Sequence, residues 1–121
     1  MAIFKPWDVV KVPFPYIDRP VRQYRPALVV AAGTIEVTHG LLWVLMITSA
    51  ENRRWDNDIV VSDLDEAGLP APSVIRCAKI ATIEAQEAER IGTLAPSDRN
   101  KVASRLARIL AGMGSTKAWR K

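Results

Sequence analysis

The segment Leu41-Leu-Trp-Val-Leu-Met-Ile-Thr48 decides the fold of this 121-residue chain. Seven consecutive apolar residues leave no side of an extended strand suited to water, so the segment is predicted to be a central strand with Trp43 packed inside. The run Arg25-Pro-Ala-Leu-Val-Val-Ala-Ala32 predicts a second strand, and Thr38-His-Gly40 predicts a turn between the two. The sheet is expected to be built around this pair.

Shorter strands are predicted on either side of this pair. Asp8-Val-Val-Lys-Val-Pro-Phe14 alternates partly with period two. The prolines at 13 and 15 predict an edge position for it, because proline has no N–H group for a second ladder. Three more short strands are predicted downstream, at Asp58–Ser62, Ser73–Arg76 and Lys79–Ile83.

The sequence period changes toward the end of the chain. Ala85–Arg90 predicts a short helix that ends at Gly92, and Pro96 opens a longer helix that ends near Gly112. Ser115–Lys121 is predicted to be a mobile tail. In the longer helix, apolar residues at helical spacing predict one stripe packed on the sheet: Val102, Leu106, Ile109 and Leu110.

Several short strands followed by one terminal helix predict an α+β domain, mostly β, whose sheet curls into a partly closed barrel. The length is that of a single domain, residues 1–121. No apolar run is long enough to span a bilayer, and residues 1–8 do not have the pattern of an export signal. We therefore expect a cytoplasmic protein that does not contact the membrane.

Cysteine and histidine are too few for an internal disulfide or a zinc site. Cys77 is the only cysteine and His39 the only histidine. We therefore expect no metal ion and no other cofactor. His39 is expected to lie in the predicted turn rather than in a catalytic site.

The net charge of +4 is only a weak indication of nucleic-acid binding. Seven basic residues and one acidic residue lie from Ser97 onward, where a basic helix face is usually solvated. The rest of the chain holds ten basic and twelve acidic residues. The informative charges are local: Arg19, Arg22 and Arg25 in one segment, and Arg53 and Arg54 beside Trp55.

Six blocks of sequence, in a fixed order with short spacers, carry more information than the periodicity. They are Asp8-Val-Val-Lys-Val-Pro-Phe-Pro-Tyr16, Arg25-Pro-Ala-Leu-Val-Val30, Ile47-Thr-Ser49, Gly68-Leu-Pro-Ala-Pro-Ser-Val-Ile-Arg76, Lys79-Ile-Ala-Thr-Ile83 and Ile91-Gly-Thr-Leu94. Together they extend over about residues 7–111 and resemble the PemK/MazF family of toxin–antitoxin ribonucleases.

The resemblance implies an SH3-like, partly closed barrel of the MazF/CcdB kind that forms a homodimer. It also implies a growth-inhibiting toxin that cuts single-stranded RNA, such as mRNA, at selected sequences and is held inactive by a cognate antitoxin protein. Family members work without a metal ion. The 2′-hydroxyl attacks the neighbouring phosphate and leaves a cyclic phosphate and a free 5′-hydroxyl.

Three residues match positions that the family uses in catalysis. The resemblance implies that Arg25 stabilises charge on the phosphate with its planar fork of donors, and that the Thr48 hydroxyl donates to a non-bridging oxygen. Arg76 aligns with an arginine that some members use in the active site. Without the resemblance, Arg25 would be a strand-start residue and Thr48-Ser49 ordinary turn chemistry.

Residues in the loops that flank Arg25 and Thr48 are the candidate RNA-binding residues. Single-stranded RNA is bound by stacking its bases on aromatic or guanidinium planes while cations follow its backbone. For two of the aromatic candidates, at 14 and 55, a core or dimer contact is an equally good interpretation. The candidates are Phe14, Tyr16, Asp18, Arg22, Ser49, Arg53, Arg54 and Trp55.

The chain departs from the family pattern at the position of a proposed general base. Members that use the arginine matching Arg76 have an aspartate two residues later, where this chain has Ala78. The histidine that accompanies it in the first loop is also missing, since residues 16–24 contain none. Asp18 is a candidate replacement from its loop position, and a solvated turn aspartate is the other interpretation.

Two other functions stay open on the sequence alone. A toxin of the same fold could bind a protein target, as the related gyrase poisons do, although those act through a C-terminal helix and lack the Arg25-Pro and Thr48-Ser pairs. The missing aspartate also leaves open a catalytically inactive barrel that binds RNA without cutting it.

Overall fold

A computed structural model describes residues 2–15 and 22–112, with the backbone alone described at Phe14, Pro15 and Arg22. The predicted tail at 115–121 lies outside these residues. The strands are β1 Asp8–Pro15, β2 Arg22–Ala31, β3 Leu41–Ser49, β4 Asp58–Val60, β5 Ser73–Glu84 and β6 Glu89–Thr93. The helices are α1 Thr34–His39, α2 Leu64–Ala67 and α3 Pro96–Ala111.

The six strands form one sheet in the order β4-β5-β3-β2-β1-β6, with every neighbouring pair antiparallel. Within the described residues, β4 and β6 lie at opposite edges and do not pair, so the sheet does not close. β3 lies inside the sheet between β2 and β5, which confirms the predicted central strand. The predicted fold class, mostly β with a partly closed sheet and a C-terminal helix, is confirmed.

The prediction that β1 is an edge strand is wrong. β1 pairs with β2 from Val9 to Pro15, and β6 pairs with its first half, from Asp8 to Lys11. Pro13 and Pro15 lie beyond the part that pairs with β6, so their missing N–H groups break no ladder bond on that side. The prolines therefore limit how far β6 can pair along β1, but they do not keep β1 at the edge of the sheet.

The two strands predicted at Ser73–Arg76 and Lys79–Ile83 are parts of one strand, β5. Its pairing with β3 shifts register between Leu45, which lies opposite Ile80, and Met46, which lies opposite Arg76. Residues 77–79 have no counterpart on β3 at this bulge. A bulge, and not a turn, interrupts the strand pattern in the sequence.

Apolar side chains fill both faces of the sheet. Leu45 and Ile47 of β3 belong to one buried cluster, which also contains Val102 of α3. Val44 and Met46 belong to a second buried cluster. Because successive side chains of a strand point to opposite faces, a strand buried on both sides must be apolar at every position. This burial explains the uninterrupted apolar run.

Within the apolar run of β3, Trp43 is exposed, at 47%. The prediction that it packs inside the protein is wrong. Trp43 lies opposite Thr82 and, with Ile80 and Ala81, lines a shallow cleft of about 250 Å³. The apolar run could not reveal this exposure, because the elements that cover each part of a sheet face are brought there by the tertiary fold.

The predicted turn at Thr38-His-Gly40 is the end of a helix. α1 reaches His39, and Gly40 ends it with a φ of 68°, a conformation that favours glycine. The Glu36 carboxylate of this helix accepts hydrogen bonds from the backbone N–H groups of Ile3 at 3.0 Å and Phe4 at 3.1 Å. This long-range contact holds a short helix that the local pattern does not predict.

The short helix predicted at Ala85–Arg90 is wrong for the second half of its length. Only Ala85–Glu87 form a 3₁₀ turn, and the residues from Glu89 onward form β6, which pairs with β1.

The sequence pattern also does not predict the short helix α2, although its capping signal is present. Asp63 Oδ1 accepts a hydrogen bond from the Glu66 N–H at 3.0 Å.

α3 confirms the predicted long helix, with Pro96 in its first turn and Gly112 after its last residue. Val102 is fully buried, and Leu106 packs against the same cluster. Ile109 and Leu110 are exposed, so the predicted stripe is wrong for its last two members.

None of the helices within residues 2–15 and 22–112 combines the length and apolar character needed to cross a membrane.

Two glycines allow α2 and β6 to touch through their backbones. A Cβ atom at Gly92 would overlap the carbonyl group of Ala67, and one at Gly68 would overlap the carbonyl oxygen of Ile91. Gly68 also has a φ of 73°. Gly92 was predicted to end a helix, but it is needed because no side chain fits between this strand and α2.

We expect Gly92→Ala to lower the free energy of unfolding by about 1–3 kcal/mol, because backbone atoms must shift to admit the methyl group. Chemical denaturation monitored by circular dichroism measures the change. Gly112→Ala is the matched control, since its nearest contact would be Ile109 O at 3.2 Å and its φ is −66°. Equal stability of the two variants would contradict the close approach.

Candidate active site

A cleft of about 370 Å³ opens at one end of the β2–β3 ladder. Arg25 near the start of β2 and Thr48 near the end of β3 both line it. The segment Leu69–Ser73, which leads into β5, contributes a second wall. The other residues that line the cleft are Gln23, Tyr24, Pro26, Ile47 and Ser49.

The strand register explains why Arg25 and Thr48 meet although they are far apart in the sequence. Ala27 of β2 lies opposite Met46 of β3, and the two side chains pack in the same buried cluster. Arg25 and Thr48 each lie two residues beyond this pair, and side chains two residues apart on a strand share a face. The structure therefore brings these two predicted catalytic residues together.

Both side chains are partly exposed. A guanidinium group is a planar fork of N–H donors with a fixed positive charge, and a hydroxyl group adds one further donor. Donors of this kind, held in one cleft, suit an anionic group with several oxygens, such as a phosphate. The cleft can therefore bind and stabilise an oxyanion.

The residues that follow Thr48 form a turn that orients its hydroxyl group. Asn52 Nδ2 donates a hydrogen bond to Thr48 Oγ1 at 2.6 Å, and the Glu51 N–H donates to Ser49 Oγ at 3.1 Å. Because the Thr48 oxygen accepts from Asn52, its own O–H is directed elsewhere and can donate to a ligand. Asn52 is a functional candidate that the sequence patterns did not indicate, and its only signal is a place in a polar loop.

Tyr24 is a second cleft residue that the sequence patterns did not single out. Its side chain is 64% exposed, and Lys11 Nζ lies 6.0 Å from the centre of its ring. An exposed aromatic ring beside a cation is a surface on which a nucleic-acid base can stack. In the sequence, its position next to Arg25 was the feature that could have indicated a place in the cleft.

Arg76 is not among the residues that line the cleft. Its Nη2 donates to the carbonyl oxygen of Arg53 at 2.7 Å and to Asp58 Oδ2 at 3.1 Å. The ring of Trp55 lies over the guanidinium, with its centre 4.2 Å from Cζ. The predicted catalytic role of Arg76 stays a prediction, and its contacts are those of a buried ion pair.

The predicted RNA-binding residues differ in where the structure places them. Ser49 lines the cleft, whereas Arg53 and Arg54 are exposed in the loop between β3 and β4. Trp55, in the same loop, is 40% exposed above Arg76. The side chains of Phe14 and Arg22, and the whole of Tyr16 and Asp18, lie outside the described part of the chain.

Among the described residues that line the cleft, carboxylate and imidazole groups that could transfer protons are missing. None of its described lining residues is aspartate, glutamate or histidine, and His39 lies at the exposed end of α1. Burial and, to a smaller extent, the charge of Asp58 raise the pKa of Cys77 to about 11, so this thiol is protonated at neutral pH. In residues 2–15 and 22–112, no three His, Cys, Asp or Glu side chains are grouped so that they could hold a metal ion.

A comparison with protein families gives a match over most of the chain. The model of PemK-like, MazF-like toxins of type II toxin–antitoxin systems matches residues 5–110. No curated protein matches the chain significantly in sequence.

The fold is similar to that of several solved toxin structures. A MazE–MazF complex from Deinococcus radiodurans matches with a TM-score of 0.71 at 16% identity, covering 88% of this chain and 94% of that chain. An endoribonuclease in complex with its cognate antitoxin, from a mycobacterial species, matches with a TM-score of 0.69 at 18% identity and coverages of 88% and 93%. The Mycobacterium tuberculosis toxin MazF-mt6 gives 0.64 at 21% identity, with coverages of 88% and 96%.

Proposed function

The chain belongs to the PemK-like, MazF-like toxin family of type II toxin–antitoxin systems, and on that premise we propose that it is an endoribonuclease. It cuts single-stranded RNA at selected sequences through attack of the 2′-hydroxyl on the neighbouring phosphate, without a metal ion. The observation that carries this proposal is the cleft in which Arg25 and Thr48 meet.

The reaction requires donors for the negative charge that develops on the phosphate oxygens. Arg25 supplies a bidentate, positively charged donor, and Thr48 supplies a hydroxyl whose direction is restricted by Asn52. Guanidinium groups stay protonated across the biological pH range, so charge stabilisation is the role that we assign to Arg25. Asp18, in the segment that leads into β2, remains our candidate for the group that accepts the 2′-hydroxyl proton.

RNA binding is assigned to the surface around the cleft. Tyr24 offers an aromatic face beside Arg25, and Arg53 and Arg54 offer exposed positive charge on the loop that follows β3. Stacking on rings and attraction of cations to the backbone are the two terms that bind single-stranded RNA. The predicted contacts of Phe14, Tyr16 and Arg22 belong to the same proposal.

The partners proposed for this chain are a second copy of itself and a cognate antitoxin protein. Two of the three similar structures described above are complexes with an antitoxin, which supports an antitoxin partner for this chain. The homodimer follows from the family resemblance. We place the toxin and its antitoxin in the cytoplasm, where mRNA is the available single-stranded substrate.

Purified protein incubated with mixed-sequence RNA in excess chelator is expected to give discrete fragments. Once a cut site is mapped, a substrate with deoxyribose on the 5′ side of that bond should resist cleavage, because it lacks the attacking hydroxyl. Gel electrophoresis reads both results. Retention of RNA without cutting would indicate an inactive RNA-binding barrel, no interaction would favour a protein-binding toxin, and cleavage of the deoxy substrate would exclude 2′-hydroxyl attack.

Arg25→Ala is expected to reduce the cleavage rate by about a hundred- to a thousandfold, since it removes the charged donor from the cleft. Single-turnover kinetics on a fluorescent RNA measures the loss, and circular dichroism verifies the fold. Arg108→Ala is the matched control, because Arg108 is exposed on α3. A folded Arg25→Ala variant with normal activity would remove Arg25 from the mechanism.

Thr48→Ala is expected to cost about a hundred- to a thousandfold in cleavage rate, and Thr48→Ser should restore most of it. Asn52→Ala should cost only about two- to tenfold, because it removes one neutral hydrogen bond that orients the hydroxyl. Glu51→Ala, in the same turn, is the control. If Asn52→Ala matched Thr48→Ala in its loss, Asn52 would have to contact the RNA itself.

A further inference from the structure

We infer that Arg76 is a positioning residue of the proposed ribonuclease. Together with Asp58 and Trp55 it holds the loop of residues 50–57 in the form that presents Arg53 and Arg54 to RNA, and it does not touch the scissile phosphate. The inference rests on the proposed function for its RNA part. It assigns Arg76 a role different from the catalytic one predicted from the sequence.

Three side-chain contacts connect Arg76 and Asp58 to the loop. Arg76 Nη2 donates to the carbonyl oxygen of Arg53 at 2.7 Å, and the ring of Trp55 stacks on the guanidinium at 4.2 Å. Asp58 Oδ2, which accepts from Arg76 at 3.1 Å, also accepts from the Trp55 N–H at 2.9 Å. The ion pair therefore holds the loop backbone at two residues and one of its side chains.

The strand register provides a fixed base for these contacts. Asp58 on β4 lies directly opposite Arg76 on β5, and Arg76 lies opposite Met46 on β3. The loop of residues 50–57 connects β3 to β4, so its two ends are set by strands that both pair with β5. Arg76 lies between those ends and connects to the middle of the loop.

Burial prevents Arg76 from acting directly on RNA in this arrangement. The side chain of Asp58 is 0% exposed and that of Arg76 is 10% exposed. Arg76 Nε is buried as well, without a hydrogen-bond partner. A phosphate would have to approach a guanidinium that is already paired with Asp58 and covered on one face by the ring of Trp55, and breaking that buried pair would be strongly unfavourable.

The loop in turn controls groups that the proposed reaction uses. Arg53 and Arg54 are exposed on it, and Asn52 donates to the Thr48 hydroxyl from its start. A loop that is ordered before binding loses less conformational entropy when RNA binds. Removing Arg76 should therefore weaken RNA binding more than it slows the chemical step.

The first test measures the loop without RNA. Amide hydrogen exchange in residues 50–57 is expected to become faster in Arg76→Gln than in the wild-type chain, because the loop loses its anchor. Arg90→Gln is the matched control: Arg90, on the edge strand β6, forms an ion pair with Asp8 at 3.1 Å. Unchanged exchange in a folded Arg76→Gln variant would overturn the inference.

The second test separates positioning from catalysis. Arg76→Gln is expected to raise the Kd for the uncleavable deoxy substrate while the cleavage rate at saturating RNA stays within about threefold of wild type. Asp58→Asn should likewise raise the Kd and leave the cleavage rate nearly unchanged, although the Asp58 side chain is fully buried and cannot contact RNA. A cleavage rate that falls by about a hundredfold or more, with an unchanged Kd, would assign Arg76 to the chemistry and overturn the inference.

A double-mutant cycle links the two results. Replacing Arg53 and Arg54 together by alanine should weaken RNA binding in the wild-type chain and do so at least about threefold less in the Arg76→Gln background. Additive effects would contradict the link between the buried pair and these arginines. If Arg76→Gln does not fold, Trp55→Ala removes only the stacked ring and is expected to give the same exchange result.

The outcomes distinguish failure of this inference from failure of the proposed function. A wild-type chain that neither binds nor cuts RNA would overturn the proposed function and the RNA part of the inference with it. The exchange experiment decides independently whether Arg76 holds the loop.

Discussion

The pairing of β3 with β2 on one side and β5 on the other determines where the described site residues lie. The β2–β3 register brings Arg25 and Thr48 to the same end of the ladder. The β3–β5 register, with its bulge, sets Arg76 opposite Met46, and the β4–β5 register sets Asp58 opposite Arg76. A slip of one residue in any of these ladders would turn the side chains of one strand to the other face and separate these groups.

Buried carboxylates hold several loop and terminal segments in place through hydrogen bonds to their backbone. Each accepts a backbone N–H group from a neighbouring segment, so that the cost of burying its charge is partly offset by hydrogen bonds. Two of them, Asp8 and Asp58, also pair with an arginine. The Glu36 carboxylate accepts from the N–H groups of Ile3 and Phe4, Asp8 from that of Lys5, Asp58 from that of Trp55, and Asp98 from that of Ser62.

The departure from the family pattern at Ala78 can be compared with the contacts that Arg76 makes in the structure. The family pattern has an aspartate two residues after the arginine that matches Arg76, and Ala78 provides no carboxylate there. Here the carboxylate comes from Asp58 on the neighbouring strand, and the pair is buried under Trp55. An arginine that is neutralised and covered is suited to holding a loop, whereas the partly exposed Arg25 and Thr48 are suited to binding an oxyanion.

The sequence by itself determined the central strand and the long C-terminal helix, because an unbroken apolar run of seven residues and a helical stripe opening at Pro96 are local patterns that can be recognised without tertiary contacts. It also indicated the family, through short blocks in a fixed order. The tertiary structure alone decided that β1 lies inside the sheet, that Glu89–Thr93 is a strand, that Trp43 is exposed and that Arg76 is enclosed by Asp58 and Trp55. Those features depend on which distant segment covers or pairs with each residue, and contacts between distant segments leave no period in the local sequence.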